Sequence, residues 1–144
     1  MKANNLKLIK HQRGLGMLQW LLVIIVVAII GKFAFTVVPM YSENMYVQTA
    51  LKSLDNDVDK LENMTDAEIK KKLTNFYMIN NVRSDGPTKN IKIEREADKV
   101  LVKIDYEIRD VYMFNIDVVM SFQNHLDSTR PGQCCKPPAT LKTK

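Results

Sequence analysis

Two adjacent thiols, Cys134 and Cys135, are the most reactive side chains of this sequence, set in a stretch rich in proline and glycine (Pro131, Gly132, Pro137, Pro138). Neighbouring cysteines seldom bond each other comfortably. In an oxidising compartment they therefore point to intermolecular disulfides or to contact with an oxidoreductase; the alternative is a mobile tail whose thiols are idle. With no histidine beside them they make a poor metal site. The histidines, His11 and His125, lie far apart and no spacing pairs them. Glu94, Asp105 and Glu107 alternate with Lys92, Lys103 and Arg109, the pattern of charge pairing across a wet strand face and not of an acid–base pair. The sequence holds no HExxH, glycine-rich phosphate loop or GxSxG. The expectation is a chain that is not an enzyme and uses no cofactor or metal.

The remaining chemistry belongs to a membrane. Lys2, Lys7, Lys10 and Arg13 precede an unbroken apolar run from Leu21 to Ile30, and no acid occurs before Glu43. A bilayer core of about 30 Å needs about 20 helical residues. Met17 to Val38 supplies about 22, or about 33 Å at roughly 1.5 Å each. This count places Lys32 inside the apolar segment, where it either snorkels to the headgroups or faces a partner's acid or carbonyl. Trp20 and Tyr41 suit the two interfacial belts, and the basic leader keeps the N-terminus in the cytoplasm. The exit, Val38-Pro39-Met40-Tyr41, offers no small-x-small cleavage site, so the segment reads as an anchor and not a cleaved signal.

The net charge of +5 follows the same logic. Four basic residues lie in the leader and four in the tail (Arg130, Lys136, Lys142, Lys144), while all 16 acids fall between Glu43 and Asp127. No nucleic acid partner is expected. The basic tail either touches anionic lipid or stays solvated.

The N-terminus resembles that of type IV prepilins and pseudopilins, with a short basic leader, Gly14, and then a long apolar helix. The resemblance implies cleavage by prepilin peptidase after Gly14, leaving Leu15 first. At the fifth mature position the family has a glutamate that neutralises a neighbouring subunit's amine; this chain has Gln19, which can accept a hydrogen bond but cannot cancel the charge.

What elements position these residues? Val47, Leu51, Leu54, Val58 and Leu61 form a helical stripe that packs either on the domain's own sheet or on another chain. Pro39 marks a kink or a restart of that helix. Thr65-Asp66-Ala67-Glu68 is a capping box opening a second helix with Ile69, Leu73 and Phe76 on its apolar face; Lys70, Lys71 and Lys72 form a solvated face. Asn80-Asn81 and Ser84–Pro87 read as loops. From Asn90 the period becomes two. Three strands are expected, around Ile91–Glu94, Val100–Arg109 and Phe114–Gln123, with Phe114, Ile116, Val118, Met120 and Phe122 on the buried face. Short links make an antiparallel meander, and the whole is an α+β fold. The organisation is a cytoplasmic leader (1–16), a transmembrane helix (17–38), a periplasmic domain (39–128) and a disordered basic tail (129–144). One run breaks the pattern: Val111, Tyr112, Met113 and Phe114 are apolar where a strand connection should be polar. They either tuck under the helix or form an exposed docking patch.

The chain also resembles a family of short proteobacterial single-pass proteins of unknown function, encoded between signal peptidase I and ribonuclease III. The matching residues are Gln12–Leu15, Trp20–Leu22, Asn90–Glu96, Asp105–Arg109 and Asn115–Asp117. The resemblance implies a bacterial inner-membrane protein with a link to protein export and no catalytic residues. The functional expectation is a non-enzymatic accessory or scaffold that touches membrane lipid and holds a membrane-protein partner, or self-associates through its long helix. Lys32 and Val111–Phe114 are the candidate contacts. The alternative is a pseudopilin-like subunit assembled through that helix.

Overall fold

The computed structural model describes residues 15–56 and 61–136. His11, the basic leader residues, Gly14, Val58 and the tail beyond Lys136 lie outside the described residues. The chain divides into two compact units, with the boundary between Ala34 and Phe35.

In the first unit, helix α1 (Leu15–Asp55) begins. From Gly16 to Ala34 every side chain is exposed apart from half-buried Gly31, and the exposed ones include Trp20, Leu22, Ile24, Ile25, Val27 and Ile30. A helix whose described side chains are exposed and nearly all apolar is suited to lipid. Its length and composition allow a membrane crossing.

The second unit, from Phe35, is the α+β domain. Here α1 buries Thr36, Met40, Asn44, Val47, Leu51 and Leu54, a stripe with spacings of four, four, three, four and three. The apolar stripe thus serves the domain's own core. Pro39 lies inside α1, so the helix does not restart there; the missing N–H only deprives the Phe35 carbonyl of its usual donor. The folded unit takes in Phe35–Val38, which the length count assigns to the bilayer.

Helix α2 (Asp66–Ile79) carries the capping box. The Thr65 N–H donates to the Glu68 carboxylate at 2.7 Å and the Glu68 N–H to the Thr65 hydroxyl at 3.3 Å. The Thr65 N–H, and then the Thr65 hydroxyl, which donates to the same carboxylate at 2.9 Å, hold the Glu68 carboxyl below its ordinary range. Ile69, Leu73 and Tyr77 are buried, and Phe76 is half-buried. Ser84–Pro87 is not simply a loop, because Gly86–Lys89 forms one helical turn, α3, with Pro87 buried in its first turn. Gly86 packs tightly there, since a Cβ would stand 3.0 Å from the Tyr106 ring.

Strands β1 (Ile91–Glu96), β2 (Lys99–Met113) and β3 (Ile116–Asp127) form an antiparallel sheet in the order β1-β2-β3. Val100, Val102, Ile104, Tyr106, Phe122 and Leu126 close the core with α1 and α2. Arg95 braces one corner, donating to Asp66 at 2.6 Å and to the Met64 carbonyl. On the wet face Lys103 holds Glu94 at 2.7 Å, and that hydrogen bond lowers the Glu94 carboxyl.

Two expectations are corrected here. Residues 129–136 are not a loose tail: the Gly132 N–H reaches Asp55 at 3.0 Å, Arg130 pairs with Asp127 at 3.1 Å, and the Cys135 carbonyl accepts the His125 N–H. The buried face of β3 also ends sooner than its alternation suggests, because Phe114 and Ile116 are exposed. Strand β1 pairs with β2 only as far as Ile104, so Asp105–Met113 and their partners continue as a two-stranded ribbon beyond the third strand.

Candidate interaction surface

The ribbon ends in a tight turn. Met113 pairs with Ile116, a register shift falls between Val111 and Met113, and Phe114-Asn115 form the turn. Val111, Tyr112 and Met113 are therefore strand residues and not a connection. They do not tuck under the helix: Val111 is 59% exposed, Phe114 90%, Ile116 60% and Val119 43%. Phe114 has φ 51°. This left-handed conformation costs a non-glycine residue about 1–2 kcal/mol, and a two-residue hairpin with positive φ at its first position ordinarily carries glycine. A large apolar side chain thus stands, almost wholly exposed, where the backbone favours none. Charge surrounds the base of the tip, with Arg109 and Asp117 paired at 3.6 Å and Asp110 beside them.

Buried polar contacts fix the ribbon against α1. The Asn44 side-chain carbonyl accepts the Asn124 amide at 2.7 Å and the Tyr106 hydroxyl at 3.3 Å; all three residues are buried. Burial, and then the nearby Glu43 carboxylate, pushes the Tyr106 hydroxyl up. The Tyr41 ring meets Phe122 edge-on, at 6.2 Å between centroids, and Glu43 accepts the N–H groups of Arg83 and Ser84 at 3.0 and 3.2 Å. Strand β3 thus follows α1 in the same direction, Tyr41 beside Phe122 and Asn44 beside Asn124.

A second cluster lies deeper along β3. His125 is 5% exposed and its Nε2 lies 2.8 Å from Asp105. Cys134 and Cys135 are bonded to each other. Cys135 is buried and its Sγ approaches the Gln48 carbonyl at 3.5 Å. Neither residue stands in a dangling tail. No group of three or more His, Cys, Asp and Glu side chains that could hold a metal occurs among the described residues. The remaining candidates lie in the first unit: Leu15 opens α1, and Gln19 and Lys32 are exposed upon it.

A family model, the domain of unknown function DUF4845, matches residues 36–122. The chain belongs to the DUF4845 family. Searches of curated proteins and of solved structures gave no match. The DUF4845 segment starts at Thr36, the first buried residue of the α1 stripe, and includes the whole apolar tip. It stops short of Asn124, His125 and the cysteines.

Sequence reasoning missed Asn44 and Asn124. Both are polar residues on buried faces, and apolar periodicity passes over them. The one available signal was their position: Asn44 falls four residues after Met40 and three before Val47, on the stripe itself.

Proposed function

We propose that this chain is a non-enzymatic, single-pass inner-membrane protein of the bacterial envelope, which acts as an accessory or scaffold. In this reading the leader lies in the cytoplasm, α1 crosses the bilayer before Phe35, and the DUF4845 domain stands in the periplasm. One observation carries it: the α1 side chains from Met17 to Ile30 are exposed and, Gln19 apart, apolar, and lipid or another membrane helix satisfies such a surface. The basic leader supports the orientation, and a bonded cysteine pair suits an oxidising compartment. The partner is a membrane protein or a second copy, engaged through the apolar helix near Lys32. The resemblance to proteins encoded beside signal peptidase I favours a partner in protein export.

The test joins topology to mass. An alkaline phosphatase reporter fused after Lys144 is expected to be active, and membrane-extracted protein should keep its mass from Met1. An inactive reporter sinks the orientation. A species beginning at Leu15 sinks the unprocessed anchor in favour of a pilin-like subunit. A photo-crosslinker at position 32 should capture one discrete partner or a dimer; capture of neither removes the scaffold role.

A further inference from the structure

We infer that the outer edge of β3 is a dimer interface, where a second copy of the chain adds its own β3 antiparallel across a two-fold axis at Val119. The inference concerns the folded unit from Phe35 alone and is independent of the helix contact proposed above.

Backbone direction comes first. Strand β3 is the last of the sheet, so one of its sides is an edge. The Ser128 N–H donates to the Val100 carbonyl of β2, whereas the His125 N–H turns away from β2 and donates to the Cys135 carbonyl. Residues of an antiparallel pair alternate between those that bond across it and those that do not. Asp117, Val119, Ser121 and Gln123 therefore direct their N–H and C=O groups outward, as His125 does. Among the described residues, only Cys135 pairs with this edge.

The free edges of the sheet differ in how they are guarded. Beyond Ile104, β2 also lacks a neighbour on its β1 side. Its outward residues Asp105, Glu107 and Arg109 are charged and exposed, and Asp110 takes the Val111 N–H at 2.8 Å. Such charges discourage pairing with another chain. From Ile116 to Gln123, β3 carries one charge, Asp117, and no lysine, proline or glycine, and its register with β2 is unbroken from Asp117 onward. Val119 is 43% exposed on the wet face, and Val118 and Met120 are only half-buried on the other.

The register follows from what already occupies the edge. Cys135 fills the place opposite His125, so an incoming strand must stop before it. The longest two-fold pairing that leaves Cys135 in place sets Val119 opposite itself and Asp117 opposite Ser121. Asn115 of the second copy then lies level with Gln123; the next register would bring it onto Cys135. Residues 117, 119 and 121 face one another, giving about six main-chain hydrogen bonds, two at each pair. Val118 meets Met120 on the half-buried face. No like charges stand directly opposite, as a stable strand pair requires. This self-complementary match is what makes the occupant a second copy.

Sedimentation equilibrium of the full chain in detergent micelles tests the inference. A monomer–dimer equilibrium is expected. Val119→Lys sets two ammonium groups opposite each other, and Val119→Pro removes an outward N–H but no bond to β2. Each should raise the dissociation constant about tenfold or more, with the near-ultraviolet circular dichroism of the parent retained. Ser121→Lys would face Asp117 and should dimerise at least as well as the parent. A photo-crosslinking residue at position 119 should join two copies through residues 117–121. A monomer at every concentration overturns the inference. So does a dimer that both Val119 variants leave unchanged, because its contact then lies elsewhere, as on the apolar helix. Equal weakening by Ser121→Lys and Val119→Lys overturns the two-fold match, and in cells a crosslink only to a different protein overturns the second copy as occupant.

Discussion

Replacing Asn44 by leucine should cost more than replacing any other single member of its buried polar cluster. Asn44→Leu keeps the approximate volume of the side chain but removes the acceptor shared by Asn124 Nδ2, at 2.7 Å, and the Tyr106 hydroxyl, at 3.3 Å. Both donors are buried and would lose their bond to Asn44. A buried donor left without a partner costs about 1–3 kcal/mol, with the longer bond to Tyr106 at the low end. The added apolar contact of leucine returns about 1 kcal/mol. The net loss is about 1–3 kcal/mol, a large share of a small domain's stability.

The assay is urea unfolding of the full chain in micelles, followed by the near-ultraviolet circular dichroism of the buried tyrosines. With a slope of about 1–2 kcal/mol/M, the midpoint should fall by about 0.5–3 M without a change in slope. Asn124→Leu alone leaves Asn44 bonded to Tyr106 and should cost less. The double variant Asn44→Leu/Asn124→Leu strands only the Tyr106 hydroxyl, so its loss should fall below the sum of the single losses by about 1 kcal/mol or more. A loss under 1 kcal/mol for Asn44→Leu, or strictly additive losses, would refute the shared-acceptor reasoning.

Asp127 gives a pH dependence. Burial alone would raise its carboxyl, but hydrogen bonds from the Thr129 side chain and backbone, Lys99 and Arg130 outweigh burial and bring it down to about 2 from 3.8. A depressed folded value adds stability above pH 4 that is lost as pH falls towards 2. With Lys99 and Arg130 each about a third exposed, we expect about 1–2 kcal/mol after screening; an Asp127→Asn chain whose acid limb matches the parent's would count against it. Gly86→Ala should destabilise by about 1–3 kcal/mol, because its Cβ would press on the Tyr106 ring at 3.0 Å; an unchanged urea midpoint would show that the ring yields freely. Phe114→Gly should leave stability unchanged or raise it by up to about 1 kcal/mol, as relief from φ 51° is partly offset by unfolded-state entropy. A clear loss of stability would mean that the ring packs in the folded unit.

Much of the fold was legible because periodicity carries it. Val47, Leu51 and Leu54 mark the helix face that meets the sheet, Thr65–Glu68 announces α2, and alternation from Ile91 onward marks the three strands. Periodicity says which side chains share a face but not where the neighbouring element ends. Phe114 and Ile116 continue the alternation of β3 correctly, yet β1 and the helices no longer cover that part of the ribbon, and the same face turns from core to surface. Tyr77, one turn beyond Leu73, takes the buried place beside the half-buried Phe76. Burial pushes its hydroxyl up, with the Tyr106 hydroxyl adding to the shift. Asn44 and Asn124 escaped notice for a different reason: hydrogen bonding across a core pairs residues 80 positions apart, and no local pattern encodes such a partner. The Cys134–Cys135 bond also defeated expectation. It closes within a segment held by Asp55, Asp127 and His125, and the sequence alone offered only a tail.

Two features break local rules. A hairpin shaped by water alone would place glycine at position 114 and polar residues at 111 and 116; this one does neither. A core shaped by stability alone would fill position 44 with an apolar residue, whereas Asn44 spends a buried acceptor on tying α1 to β2 and β3. The first feature gives the ribbon an apolar end, and the second fixes its direction relative to the Phe35–Asp55 part of the helix.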